Sequence, residues 1–170
     1  MTFIKIASSA SVAAAFALGS VAASAQSPAA KQLVGEWTLV TESNTKDGVT
    51  KKGAGFGDNP KGLLILTASG RYTSINMRGD LPKFASGSRL QGTDAENKAI
   101  VQGSIAHFGT YTVSADGKML TLQPQASTWP AWTGQPQERQ ITLKGDELRW
   151  TVKASFGGVS ELVYKRASVK

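Results

Sequence analysis

Polar and hydrophobic residues alternate along most of the chain between residues 33 and 166. Successive side chains of a β-strand point to opposite faces, so an alternation with a period of two predicts half-buried strands. The clearest example has Leu148, Trp150 and Val152 on one face, with Arg and Thr between them. Asp-Gly pairs, typical of hairpin turns, separate some of the segments. We predict eight or nine antiparallel strands, eight of them over residues 33–42, 62–67, 71–77, 110–114, 119–125, 137–143, 148–154 and 159–166.

One helix is predicted, in the middle of the chain. Thr93 and Glu96 have the spacing of a capping box, in which each side chain accepts a hydrogen bond from a backbone amide at the helix start. Residues 94–107 follow with a modest apolar face, and Gly109 is a helix stop. This prediction puts His107 in the last turn of the helix.

The edges of the sheet limit how so many strands can be arranged. A long antiparallel meander exposes two edges unless it closes into a barrel. An eight-stranded barrel is either filled by side chains or holds one small ligand. Filled and hollow barrels share the same alternation, and a β-sandwich fits it equally well. The predicted fold class is all-β, with one short helix inserted mid-chain.

The first 25 residues have the pattern of a secretory signal peptide. Lys5 precedes an apolar run over residues 12–18, and small residues at Ala23 and Ala25 resemble a cleavage site. A membrane anchor is the alternative, but the apolar stretch is short for a span. We therefore expect a periplasmic or secreted protein, cleaved near Ala25. The expected organisation is a signal peptide over 1–25, a short polar lead over 26–32 and a barrel domain over 33–170.

The composition excludes several kinds of chemistry. The chain has no Cys and one His, so disulfides, thiol nucleophiles and Cys- or His-rich metal sites are absent. There is no Gly-x-Ser-x-Gly motif, and the Gly-rich segment over residues 53–57 is not followed by Gly-Lys-Ser or Gly-Lys-Thr. We expect no metal site and no cofactor.

The charge balance is basic, with 19 Lys and Arg against 12 Asp and Glu. The basic residues are spread along the chain, and no aromatic–basic recognition motif is present, so we expect no nucleic-acid binding. A net positive charge allows peripheral contact with an anionic envelope surface. Ordinary solubilising charge is the alternative.

The first and last strands of the predicted barrel resemble those of known proteins. Gly35-x-Trp37 on the first strand resembles the opening motif of lipocalins. Arg166 stands where that superfamily commonly carries a cation that packs across the tryptophan. Closure brings the first and last strands together, so a guanidinium can cover the indole face. The resemblance implies that Gly35, Trp37 and Arg166 close the barrel.

A closer resemblance is to the bacterial and fungal lipocalin-like domain family, a calycin-type barrel, over most of residues 33–166. The matching segments are 33–37, 59–67, 82–87 and 108–111. Unlike the usual secreted lipocalin, whose helix lies near the C-terminus, this chain has its predicted helix mid-chain. The resemblance implies an eight- or nine-stranded barrel with a ligand cavity, and it implies no particular reaction.

Candidate cavity residues come from the apolar faces of the predicted strands and from one irregular segment. Trp129 and Trp132 surround a proline between two strands, where they would cover the barrel mouth or a hydrophobic edge. Tyr72 and Asn76 would add polar groups if their face points inward. The full candidate set is Trp37, Leu64, Leu66, Tyr72, Asn76, Trp129, Trp132, Trp150 and Leu162.

We predict a protein that binds a small hydrophobic or amphipathic molecule. The alternatives are a lipocalin-like enzyme (a cyclase, isomerase or hydratase) and a solid structural barrel of the envelope. His107 is the first candidate for acid–base catalysis, because only histidine has an unperturbed pKa near neutrality. Tyr72 or a carboxylate is an alternative proton donor for such an enzyme. For His107, an ordinary helix-end histidine is the interpretation that we favour. A buried His107 beside another polar group at the cavity would support the enzyme. Glu36, Glu42 and Glu161 are expected on outward strand positions, so no catalytic carboxylate pair is predicted.

Overall fold

Nine antiparallel strands, two short α-helices and one 3₁₀ helix (Pro130–Trp132) make up the computed structural model, which describes residues 27–168. The predicted signal peptide lies outside the described residues. The helices are α1 (Pro28–Leu33) and α2 (Asp94–Gly103). The strands are β1 (Gly35–Lys46), β2 (Val49–Lys52), β3 (Lys61–Leu66), β4 (Arg71–Met77), β5 (Ser104–Val113), β6 (Met119–Ser127), β7 (Gln137–Lys144), β8 (Glu147–Lys153) and β9 (Val159–Arg166).

The sheet closes on itself. Neighbouring strands follow the order β2-β1-β3-β4-β5-β6-β7-β8-β9, and β1 also pairs with β9. Eight strands therefore form a closed barrel, while β2 pairs only with the far end of β1. The predicted antiparallel barrel is confirmed, and closure through β1 and β9 excludes the sandwich alternative.

A β-bulge divides β1 into two parts. The pairing of β1 with β9 shifts between Leu39 and Thr41, which leaves Val40 as an extra residue. One extra residue reverses which side chains face inward. Trp37 and Leu39 point into the barrel before the bulge, and Glu42 points inward after it. The expectation that Glu42 faces solvent is therefore wrong, since its exposed fraction is 1%.

Helix α2 begins as predicted and ends earlier. The Thr93 hydroxyl accepts from the Glu96 amide at 3.3 Å, and the Glu96 carboxylate accepts from the Thr93 amide at 2.7 Å. The helix ends at Gly103, where a Cβ atom would lie 2.8 Å from side-chain atoms of Arg78 and Leu81. The prediction of a helix through His107 is wrong, because residues from Ser104 onward pair with β4 as strand β5.

Helix α1 occupies the segment for which we expected a polar lead and no helix. The Ser27 hydroxyl caps it by accepting from the Ala30 amide at 3.1 Å, and Pro28 fits the first helical turn, where its missing N–H is not needed. Ala30 and Leu33 are buried. The Trp37 indole donates to the Leu33 carbonyl at 2.9 Å, which fixes the helix across one end of the barrel. Six residues are too few for periodicity to reveal this helix.

The half of the barrel beneath α1 is filled, and we call it the packed half. It contains the ends of β1, β3 and β4 that carry Trp37, Leu66 and Tyr72, together with the ends of β6 and β8 that carry Leu122 and Leu148. All of these side chains are buried.

Within residues 27–168, no helix is long and apolar enough to cross a membrane.

Candidate functional site

The opposite half of the barrel contains a cavity of about 280 Å³, and we call it the cavity half. It lies where β5, β7 and β9 begin and where β8 ends, and part of α2 borders it. The apolar part of its lining includes Phe56, Ile105, Trp132, Trp150, Val152 and Leu162. The polar part includes Glu42, Asn76, His107, Arg139 and Ser160.

Arg139 is a cationic side chain inside the barrel. It shares the inward face of β7 with Ile141, and its exposed fraction is 3%. Its guanidinium carbon lies 5.5 Å from the ring centre of Trp132 and 5.8 Å from that of Trp150. Both distances are in the range of cation–π contacts. The guanidinium therefore lies against both tryptophan rings.

The hydrogen-bonding capacity of Arg139 is mostly unused. Nη1 donates to the Glu138 carbonyl at 2.9 Å, whereas Nε is buried without a partner in the described structure. Within residues 27–168, Arg139 forms no ion pair. Burial lowers the pKa of Arg139 to about 10, so the guanidinium remains charged at neutral pH. A buried charge without a counter-charge is costly to the folded state.

Trp150 is a second buried donor at the cavity. Its indole Nε1 is buried without a partner among the described residues. The Trp150 ring packs edge-on against the Tyr164 ring, with centres 4.9 Å apart. Arg139 Nε and Trp150 Nε1 are the two unpartnered buried side-chain polar atoms in the part of the chain that the structure describes. Both are N–H donors, and both residues line the cavity.

His107 and Tyr72 form a buried pair between β5 and β4. Their Nδ1 and Oη atoms are 2.9 Å apart, and 5% of His107 is exposed. Burial, together with the nearby charge of Arg139, lowers the pKa of His107 to about 4. Burial raises the pKa of Tyr72. At neutral pH the imidazole is therefore neutral, and the protonated Tyr72 hydroxyl can donate to Nδ1.

Asn76 and Tyr164 belong to a hydrogen-bonded group at the base of the cavity. The Tyr164 hydroxyl donates to Asn76 Oδ1 at 3.1 Å, and Asn76 Nδ2 donates to Ser74 Oγ at 3.4 Å. Burial raises the pKa of Tyr164, so it remains a neutral phenol. These residues fix the floor of the cavity and carry no charge.

Glu42 lies on another wall of the cavity with both carboxylate oxygens occupied. One oxygen accepts from the Gly55 amide at 2.9 Å, and the other accepts from the Ser160 hydroxyl at 3.2 Å. Asn44 donates to the same Ser160 oxygen at 3.1 Å. The Gly-rich segment over residues 53–57 thus contributes Gly55 and the neighbouring Phe56 to the wall of the cavity.

The structure divides the candidate cavity residues into two groups. Trp37, Leu64, Leu66 and Tyr72 are packed in the core and are not among the residues that line the cavity. The residues that line the cavity are Asn76, Trp129, Trp132, Trp150 and Leu162, together with His107. Of these, Trp129 lies at the rim, where 48% of it is exposed, and Trp132 ends the short 3₁₀ helix Pro130–Trp132.

The residues expected to close the barrel meet at the packed half. The guanidinium carbon of Arg166 lies 4.1 Å from the Trp37 ring centre. Its Nη1 and Nη2 atoms donate to the carbonyls of Val34 and Gln32, each at 2.9 Å. A Cβ atom at Gly35 would lie 2.8 Å from Arg166 Nη1, and the φ of Gly35 is +139°, so glycine fits both the space and the backbone.

Arg139 and Glu42 are the buried charged cavity residues that sequence reasoning missed. Arg139 alternates with Ile141 and Leu143, which indicates the inward face of β7. Its charge argued for the outward face, because arginine is rarely fully buried. For Glu42 the sequence pattern did not indicate an inward side chain, because the face on which Glu42 lies depends on the β-bulge at Val40. Within residues 27–168, no group of three His, Asp or Glu side chains could hold a metal ion.

The closed eight-stranded antiparallel barrel places the chain in the structural class of lipocalin-type β-barrels. The family follows from the sequence: the model of the family described as "Lipocalin-like domain" matches residues 34–164. The chain therefore belongs to the lipocalin-like domain family. Among curated proteins, none matches the sequence significantly.

Several solved barrel structures are distantly similar to the chain. A redesigned β-barrel is 16% identical with a TM-score of 0.46, covering 85% of this chain and 100% of its own. A de novo designed fluorescence-activating β-barrel is 14% identical with a TM-score of 0.43, covering 82% and 97%. Fatty-acid-binding protein 1 of Echinococcus granulosus is 15% identical with a TM-score of 0.37, covering 81% and 99%.

Proposed function

We propose that the protein is an exported binding protein for a small hydrophobic or amphipathic molecule, which occupies the cavity half of the barrel. The observation that carries this proposal is the cavity of about 280 Å³ with a largely aromatic and aliphatic lining. Small-molecule sites are typically concave and apolar, with a few polar groups that orient the ligand. The volume is near the lower end of the usual range of about 300–1,000 Å³, which favours a small ligand.

Two further observations support parts of this proposal. The cavity argues against a solid structural barrel, because a packed interior would have no space for a ligand. Export rests on the signal-peptide pattern of residues 1–25, with Lys5 before the apolar run and small residues up to Ala25. The periplasm or the medium is the compartment that this pattern favours.

Binding is tested with the neutral apolar fluorophore N-phenyl-1-naphthylamine, by fluorescence titration of the protein without residues 1–25. We expect saturable binding at one site per chain. Val152→Trp adds volume at the cavity wall and is expected to weaken binding about tenfold or more, while Val40→Trp adds the same side chain at the exposed bulge and is expected to have little effect. Absence of saturable binding by the unmodified protein would contradict the proposal.

A lipocalin-like enzyme is the second candidate function, and His107 is the observation that favours it. Its neutral imidazole is buried at the cavity beside the Tyr72 hydroxyl, so the pair can take up and deliver a proton. The charge of Arg139 can stabilise a negative charge that develops on a substrate oxygen. An isomerase, cyclase or hydratase reaction would use these groups without a cofactor.

Native mass spectrometry separates the two candidates. The protein is purified from its own compartment, and any bound molecule is extracted and identified. The extracted molecule is then incubated with the unmodified protein and with His107→Gln. A binding protein returns the molecule unchanged in both cases. Conversion by the unmodified protein alone would establish the enzyme instead.

A further inference from the structure

The two unpartnered donors of the cavity are both nitrogens, and they belong to adjacent strands. Arg139 lies on β7 and Trp150 on β8, and the guanidinium carbon is 5.8 Å from the Trp150 ring centre. Buried N–H groups are nearly always hydrogen-bonded in folded proteins. Two donors left without acceptors at one cavity therefore indicate that the acceptor comes from a bound molecule.

The charge of the site indicates what kind of acceptor this is. Arg139 keeps its positive charge, and Glu42, the other buried charged side chain of the described residues, already accepts from Gly55 and Ser160. The phenols Tyr72 and Tyr164 near Arg139 remain protonated and bring no negative charge. Since residues 27–168 supply no counter-charge within ion-pairing distance, an anionic ligand would remove the electrostatic cost of burying the guanidinium.

The shape of the donor set favours a carboxylate among anions. A guanidinium presents its N–H groups in one plane, which matches the two oxygens of a planar carboxylate. Trp132 and Trp150 lie against the guanidinium through their rings, while its Nε has no partner among the described residues. The rest of the cavity, with Ile105, Val152 and Leu162, is suited to a hydrocarbon portion.

We infer that the ligand is a small amphipathic carboxylate, whose carboxylate pairs with Arg139 and accepts from the Trp150 indole while its apolar part fills the remaining cavity. This inference rests on the proposed function, because it requires that a small molecule occupies the cavity half. It adds the chemical class of the ligand and names the two residues that recognise its head group.

The inference is tested with three probes that share one alkyl chain: octanoate, 1-octanol and octylammonium. Their affinities are measured at pH 7 by displacement of N-phenyl-1-naphthylamine. We expect the unmodified protein to bind octanoate at least about tenfold more tightly than 1-octanol, and octylammonium most weakly. Equal affinities for octanoate and 1-octanol would overturn the inference and leave the proposed function intact. Failure of all probes, the fluorophore included, would overturn both.

Two variants assign the preference to its residues. Arg139→Met is expected to remove the preference for octanoate while 1-octanol binding is retained. Trp150→Phe keeps an aromatic side chain, although a smaller one, and deletes the donor, so we expect octanoate binding to weaken about fivefold with a smaller change for 1-octanol. Arg149→Met, on the exposed face of β8, is the matched control and should keep the full preference. An undiminished preference in Arg139→Met would overturn the assignment.

Thermal stability provides a readout that a purely structural role of Arg139 would not give. If Arg139 serves to bind a ligand, its unpaired buried charge destabilises the ligand-free protein. Ligand-free Arg139→Met should therefore have a Tm a few degrees higher than the unmodified protein, because an apolar side chain of similar length replaces the charge. Octanoate should then raise the Tm of the unmodified protein and leave that of Arg139→Met unchanged. A lower Tm for the ligand-free variant would contradict the inference. Should Arg139→Met not fold, Trp150→Phe and the preference of the unmodified protein still decide the question.

Discussion

Two arginines of the same barrel, Arg166 and Arg139, show how its two halves differ. Arg166, at the packed half, lies over the Trp37 ring, donates to the Val34 and Gln32 carbonyls and pairs with Asp146 at 3.2 Å. Arg139, at the cavity half, also lies against tryptophan rings. It donates to one carbonyl, and its Nε has no partner in the described structure.

The comparison shows that contact with tryptophan does not by itself define the role of an arginine. A guanidinium whose donors are satisfied within the chain stabilises the fold, because each hydrogen bond and the cation–π contact exist before any ligand arrives. A buried guanidinium with unused donors lowers the stability of the ligand-free protein. The packed half of the barrel is therefore expected to determine stability, and the cavity half to determine recognition.

The largest expected effect is the loss of Trp37. None of its surface is exposed, and it joins α1 to the core. We expect Trp37→Ala to lower the free energy of unfolding by about 3–5 kcal/mol, measured by urea denaturation. Trp129→Ala, at the exposed rim of the cavity, should lower it by less than about 1 kcal/mol. Similar costs for the two substitutions would show that stability does not reside in the packed half.

The second effect is a dependence of stability on pH that comes from His107. Burial lowers its pKa from 6.5 to about 4, so between these values the unfolded chain binds a proton that the folded protein does not. Stability should therefore fall as the pH decreases from 6.5 to 4, by up to about 3 kcal/mol. The measurement is urea denaturation across this range, with His107→Asn as the reference that lacks the titrating group. A difference between the two proteins that does not change with pH would contradict the prediction.

The smallest effect concerns Arg166. Arg166→Met removes two hydrogen bonds to backbone carbonyls and the cation over Trp37, so we expect a loss of about 2 kcal/mol in the free energy of unfolding. Arg149→Met removes surface ion pairs with Glu147 and Glu161 and should cost less than about 1 kcal/mol. Binding of octanoate should be unaffected in both variants. If Arg166→Met abolished binding, the division between the two halves would be wrong.

Much of the fold could be predicted because it depends on local patterns. The alternation around Leu148 and Trp150 is a property of one strand, and the capping box of Thr93 and Glu96 is a property of four consecutive residues. Closure of the barrel followed from a resemblance in its first and last strands, at Trp37 and Arg166. These features need little information from distant parts of the chain.

The cavity half could be predicted only in part, because its features depend on partner strands. The direction of Glu42 is set by the pairing of β1 with β9, and His107 belongs to a strand because β4 and β6 are available to pair with it. Arg139 had the periodicity of an inward residue, but its charge favoured the opposite interpretation. Alternation also does not distinguish a filled barrel from a hollow one, and this barrel contains one half of each kind.

The bulge at Val40 has a consequence for how such a barrel changes over evolutionary time. Residues before the bulge belong to the core, and residues after it supply Glu42 and Asn44 to the cavity half. Insertion of one codon immediately after the bulge, with the bulge retained, would exchange the inward and outward side chains of the second part of β1 while leaving Trp37 in place. A single mutational event can thus change which side chains of β1 face the cavity half, without altering the core that keeps the protein folded.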